Sequence, residues 1–106
     1  MAKEQEPTQE EVEISRIRMP RGTEVFGTVE MMLGGGKMRV KCSDGNTRIC
    51  RIPGKMRKRI WIRVGDLVLV EPWTTQSNER ADVAFRYTST QANWLKRKNF
   101  IKDVRV

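Results

Sequence analysis

A chain of 106 residues is expected to form one compact domain with short tails, since a second full domain needs more length. Its 21 Lys and Arg outweigh 13 Asp and Glu for a net charge of +8, and histidine is absent, which removes Ser-His-Asp triads, Cys-His pairs and most zinc sites. The longest apolar run, Leu67 to Val70, falls far short of the roughly 20 residues of a membrane span, and no secretory signal pattern is present, so a cytoplasmic location with no membrane partner is expected.

Residues 1–20 read as an acidic tail. Glu4, Glu6, Glu10, Glu11 and Glu13 stand against Lys3, a net of −4 over residues 1–13, and the stretch lacks aromatics. Such a segment is expected to be a flexible, disordered tail. A sharper reading has it shield the basic body until a nucleic acid displaces it.

From Thr23 the apolar positions repeat every two residues rather than every 3.6. Val25, Gly27, Val29 and Met31 alternate with Phe26, Thr28, Glu30 and Met32 in a first strand, where Gly27 suits the bend of a barrel strand. Gly34-Gly35-Gly36 is a turn, and a second strand carries Met38, Val40 and Cys42 on one face and Lys37, Arg39 and Lys41 on the other. Asp44-Gly45-Asn46 signals a hairpin into a third strand, Thr47 to Ile52, which Pro53-Gly54 stops. A three-residue turn over Asp44–Asn46 would pair Val40 with Cys50 and Met38 with Ile52, leaving Arg39 opposite Arg51 on a basic outer face. A two-residue turn would force Arg51 inward, so burial favours the first register.

Lys55 to Ile60 is read as one or two helical turns, followed by Trp61 to Val64 and the turn Gly65-Asp66. Leu67 to Val70 form a fourth strand ended by Glu71-Pro72-Trp73. Thr74 to Asp82 has no apolar period and is read as a loop, and Val83, Phe85 and Tyr87 mark a fifth strand. Thr88 and Gln91 have capping-box spacing for a terminal helix bearing Trp94 and Leu95, with Lys96, Arg97 and Lys98 near its end. The expected fold is therefore all-β: a five-stranded OB-fold barrel over residues 21–88, with a short helix after strand three, and a C-terminal helix and tail over 89–106. An SH3-like barrel is the competing five-strand architecture. The helical segment after the third strand favours the first.

Catalytic chemistry finds no support. Cys42 and Cys50, the two thiols, sit diagonally in the favoured register, too far apart for an easy disulfide, and read as small buried hydrophobes in a reducing compartment. Gly34-Gly35-Gly36-Lys37 lacks the first glycine and the Ser/Thr of a phosphate loop. Asp44, Asp66 and Asp82 occupy turns, where they favour local backbone bonds. No metal or cofactor is expected.

The surviving pattern is basic residues interleaved with an aromatic. Lys37 to Arg63 holds ten basic residues and one acid, a net of +9, and such a field attracts polyanions. A solvated basic surface is the plainer alternative. Candidate RNA contacts are Lys37, Arg39, Lys41, Arg48 and Arg51 on the hairpin, and Lys55, Arg57, Lys58, Arg59, Trp61 and Arg63 beyond it. Trp61 has two readings, a base-stacking platform or a barrel-closing core residue. Trp73 and Trp94 read as packing residues.

The run from Arg39 to Ile62, with Gly54-Lys55-Met56-Arg57-Lys58-Arg59-Ile60-Trp61 at its heart, closely resembles translation initiation factor 1A. The similarity spans about residues 20–95. Eukaryotic members carry a basic N-terminal and a long acidic C-terminal tail, so this chain, acidic at its start and ending just after the helix, looks like an archaeal member. The resemblance implies an OB-fold factor at the decoding (A) site of the small ribosomal subunit, binding its rRNA and helping to place initiator tRNA and a start codon. Other initiation factors are implied as indirect partners, and the chain is expected to be a monomer. The family's RNA-contacting positions map onto Lys55, Arg57, Lys58, Arg59 and Trp61. A general single-stranded RNA chaperone of the cold-shock or S1 type is the alternative, weakened by the lack of its aromatic strand motif.

Overall fold

The structure, a computed structural model, describes residues 6–57 and 61–101. Five strands, β1 (Val25–Gly34), β2 (Lys37–Cys42), β3 (Thr47–Arg51), β4 (Leu67–Pro72) and β5 (Arg80–Arg86), close a barrel in the order β1-β2-β3-β5-β4. All neighbours are antiparallel except β3 and β5. A single-turn helix lies between β3 and β4, and helices also precede and follow the barrel; in chain order these are α1 (Gln9–Ser15), α2 (Gly54–Arg57) and α3 (Ser89–Arg97). This is the OB arrangement expected from the sequence.

The uniform apolar run of β4 has a simple cause. Val68 and Val70 point into the barrel with Val29, Val40 and Cys50, while Leu67 and Leu69 point outward into a second cluster with Phe26, Tyr87 and Leu95 beneath α3. Both faces of the strand are buried, so polar alternation would be costly. Leu69 and Leu95 are wholly buried, and each contributes on the order of 1.5–3 kcal/mol by leaving water. Gly27 serves close approach: a Cβ there would lie 2.4 Å from Val40 Cγ1 and 3.3 Å from the Lys41 carbonyl oxygen.

The β2–β3 register differs by two residues from the expected one. Lys41 faces Thr47, Arg39 faces Ile49, Met38 faces Cys50 and Lys37 faces Arg51. The turn is Ser43-Asp44-Gly45, closed by Gly45 N–H donating to the Cys42 carbonyl and Cys42 N–H donating to the Asn46 carbonyl. Its last residue must take the left-handed conformation, and Gly45, at φ 93°, does so without a Cβ penalty. Placing the turn one residue later would have put Asn46 there. A shift of two keeps every side chain on its face, so the apolar interior survives the correction. It also moves Cys42 further along β2 from the residue facing Cys50; both thiols are free and buried.

The N-terminal segment is the clearest departure. Its composition predicts disorder, yet Gln9–Ser15 form α1 behind a complete capping box. Thr8 Oγ1 accepts from Glu11 N–H at 3.1 Å and Glu11 Oε1 accepts from Thr8 N–H at 2.8 Å, which holds the Glu11 carboxyl below its usual range. Helix α1 lies against α3, where Gln91 Nε2 donates to the Glu13 carbonyl at 2.8 Å. The following chain is strapped down by Arg18, paired with Glu24 at 2.6 Å, and by the Tyr87 hydroxyl donating to the Arg18 carbonyl. Ile17 packs on the second cluster. Composition misleads here because the capping box and these tertiary ties outweigh net charge. Among the described residues no glutamate of α1 pairs with a hairpin cation.

Strand β5 begins at Arg80, inside the expected loop. Arg80 to Asp82 pair in parallel with Ile49 to Arg51, and of the three only Ala81 is buried. One small inward residue gives no readable period.

Candidate nucleic-acid interface

The outer face of β2 carries Lys37, Arg39 and Lys41, as the alternation requires. Lys37 and Lys41 make no ion pair among the described residues. Arg39 is loosely held, with Nε 3.7 Å from Glu30 Oε1 and a terminal nitrogen 3.8 Å from Met31 Sδ. Lys37 follows three glycines whose φ values of 82°, 60° and 74° are the reason the turn is built of glycine.

Arg48 is the exception on this hairpin. The sequence places it on a solvated basic face; in the fold it lies on the inner side of β3 and is 2% exposed. Its Nε donates to the Ser77 carbonyl at 2.5 Å, and its two terminal nitrogens grip the Asp44 carboxylate at 3.0 and 2.8 Å. The guanidinium holds the Asp44 carboxyl below its usual range, and Asp44 raises Arg48 in turn. Arg48 thus clamps the β2–β3 turn to the β4–β5 loop instead of reaching outward. The thiols beside it stay protonated: burial pushes Cys42 up against the opposing effect of Arg48, and pushes Cys50 up to about 12.

Arg51 points outward, but its charge is committed. Nε and one terminal nitrogen donate to the two oxygens of Asp82 at 3.2 and 3.1 Å. The same carboxylate accepts from Trp73 Nε1 at 3.0 Å, and the guanidinium carbon lies 5.5 Å from the Trp73 ring centroid. Sequence reasoning treats Asp82 as a turn residue and Trp73 as packing. Only the parallel pairing, which sets Asp82 opposite Arg51, brings them together.

Beyond β3 the arrangement changes. Lys55, on α2, is exposed and has no ion-pair partner among the described residues. The side chain of Arg57, together with Lys58, Arg59 and Ile60, lies outside the described residues. Trp61, Ile62 and Arg63 alternate: Ile62 is anchored in the barrel core, so its neighbours turn outward. The next turn fixes this segment, because Arg63 N–H donates to Asp66 Oδ2 at 2.8 Å while Arg86 Nε reaches the same oxygen at 3.1 Å. The Arg63 side chain makes no ion pair among the described residues, and Trp61 is 84% exposed. Of its two readings, the core residue is excluded. Trp94, by contrast, packs against the second cluster and stacks on Phe100 at 5.6 Å between centroids.

A family model described as translation initiation factor 1A / IF-1 matches residues 6–105. The chain belongs to this family. It therefore has a role in translation initiation. It is 57% identical over 90 residues to translation initiation factor 1A of Methanothermobacter thermautotrophicus, covering 85% of this chain and 91% of the relative. To the same factor of Pyrococcus abyssi it is 56% identical over 89 residues, covering 84% and 79%. Its structure is similar to the solution structure of a translation initiation factor from the Wolbachia endosymbiont of Brugia malayi, with a TM-score of 0.50 and 31% identity. That match covers 69% of this chain and 86% of the other. Archaeal relatives and the closed barrel agree with the resemblance carried by the Lys55–Trp61 motif. Among the described residues no helix is long and apolar enough to cross a membrane.

Proposed function

We propose that the chain binds rRNA at the decoding (A) site of the small ribosomal subunit and helps place initiator tRNA and the start codon. Trp61 carries this reading: an indole 84% exposed, held outward by its buried neighbour, inside the segment that resembles the family's RNA contact. An indole so presented can stack on a base for about 1–3 kcal/mol, while the cations around it neutralise phosphates. Lys55, Arg57, Lys58, Arg59, Trp61 and Arg63 form the principal contact. Lys37, Arg39 and Lys41 extend it over the sheet, and Arg48 is excluded by its burial. The factor acts by positioning and occlusion as a cytoplasmic monomer without catalysis, other initiation factors and initiator tRNA being indirect partners.

Chemical footprinting on isolated small subunits tests this directly. Saturable one-to-one protection of the decoding region, poorly competed by free RNA oligomers, is the expected result. Protection that spreads over unstructured RNA in proportion to its length would replace it with the general RNA-chaperone reading.

A further inference from the structure

Arg51, Trp73 and Asp82 form a cluster that phosphate binding does not explain. An arginine gripped through two nitrogens by a carboxylate offers little net charge to a phosphate. What remains available is its plane. The guanidinium lies over Trp73, is locked in orientation by Asp82, and its side chain is still 52% exposed, so the face away from the indole is open. Asp82 also fixes the indole through Nε1, so all three groups are held before any ligand arrives. Flat, delocalised surfaces of this kind stack on nucleobases, and every base has a face to offer. On the neighbouring strand, directly opposite Arg51, stands Lys37, about 4.8 Å away in the sheet and next to a turn of three glycines. That places a cation for phosphate beside a flat surface for the base, which is the layout of one nucleotide.

We propose that Arg51 and Trp73, oriented by Asp82, are a stacking platform for one unpaired nucleobase of RNA, whose phosphate is met by Lys37. The platform is a second base site, separate from Trp61, and it deepens the small-subunit reading, on which it rests for its biological target. Arg51 works here by shape, with its charge already balanced. A phosphate-binding arginine and a stacking arginine differ in what lysine does in their place. Lysine restores the charge and loses the plane.

The test uses the full chain with oligoadenylate at low salt, and with inorganic polyphosphate as a polyanion without bases. Arg51→Lys and Trp73→Leu are each expected to weaken oligoadenylate binding about tenfold, the scale of one lost base stack. Polyphosphate binding should stay within about twofold of wild type, and the slope of log affinity against log salt should not change, because no phosphate contact is lost. Trp73→Phe, which keeps a flat ring, should recover most of the affinity. Lys37→Gln should weaken both ligands and lower the slope by about 0.7, the value of one single-strand phosphate. Unfolding midpoints check that each variant is folded. Wild-type oligoadenylate affinity in Arg51→Lys, or equal losses on both ligands in Trp73→Leu, would overturn the platform. Small-subunit binding is measured in parallel. Failure of the wild-type chain to bind subunits sinks the small-subunit reading, while subunit binding with unaffected oligoadenylate variants sinks the platform alone.

Discussion

The wall formed by β3 and β5 and the segment that follows β3 use the same residue types in opposite ways. On the wall, Arg48 and Arg51 each face a carboxylate, Asp44 or Asp82, that the fold delivers within 3.2 Å. After β3, Lys55 and Arg63 have no acidic partner among the described residues, and Trp61 stands in solvent between them. A charge count treats all four cations alike. The pairing of strands does not: an aspartate opposite an arginine turns a phosphate contact into a clamp or a stacking surface. Positive charge stays available to phosphate where the topology supplies no carboxylate.

The sharpest way to break this contrast is charge reversal in the basic stretch between Lys55 and Trp61. Replacing Arg57, Lys58 and Arg59 together by Glu is expected to weaken small-subunit binding about a thousandfold, three charged contacts at about 1.5 kcal/mol each, with an unchanged urea midpoint. Unaltered binding would mean that these cations are not the contact. On the committed side the outcome should invert. Asp44→Ala leaves the buried Arg48 guanidinium without its counterion and should cost about 3 kcal/mol of stability by urea unfolding. Its subunit affinity, read where the protein is still folded, should match wild type. Trp61→Ala comes next: about tenfold weaker subunit binding, with stability within about 0.5 kcal/mol of wild type because the ring is exposed. The smallest effect is a slope. The folded-state carboxyl of Asp44 titrates below its ordinary 3.8, so its stabilisation is present above that pH and is lost as pH falls through the lower folded value. Acid unfolding of Asp44→Asn should therefore be flatter below about pH 4 than that of wild type.

How much of this is legible in the residues alone differs by element. The five strands show in the two-residue period and in the turn residues between them, and the capping box of α3 shows in Thr88 and Gln91. The β2–β3 register is easily misplaced by two because Asp44, Gly45 and Asn46 all suit turns, and only the need for a left-handed residue at the turn's end selects Gly45. Arg48 is grouped with the outward cations by its charge, although it shares the parity of Cys50 and Ile52; the Ser77 carbonyl that helps satisfy its buried guanidinium lies 29 positions away in sequence. Helix α1 carries its Thr8–Glu11 signature in plain view, but its composition argues for disorder. Trp61 is half legible: the motif marks it, and only the burial of Ile62 decides which way it turns.

Gln91 gives the molecule a property that no strand reveals. Its side-chain oxygen accepts from Thr88 N–H at the start of α3, while its amide nitrogen holds the last turn of α1. A seven-residue helix has too few internal bonds to persist alone in water. Local opening of α1 is therefore coupled to α3 through this glutamine, beside the anchors that Ile17 and Arg18 supply, while buried Leu95 holds α3 to the barrel independently.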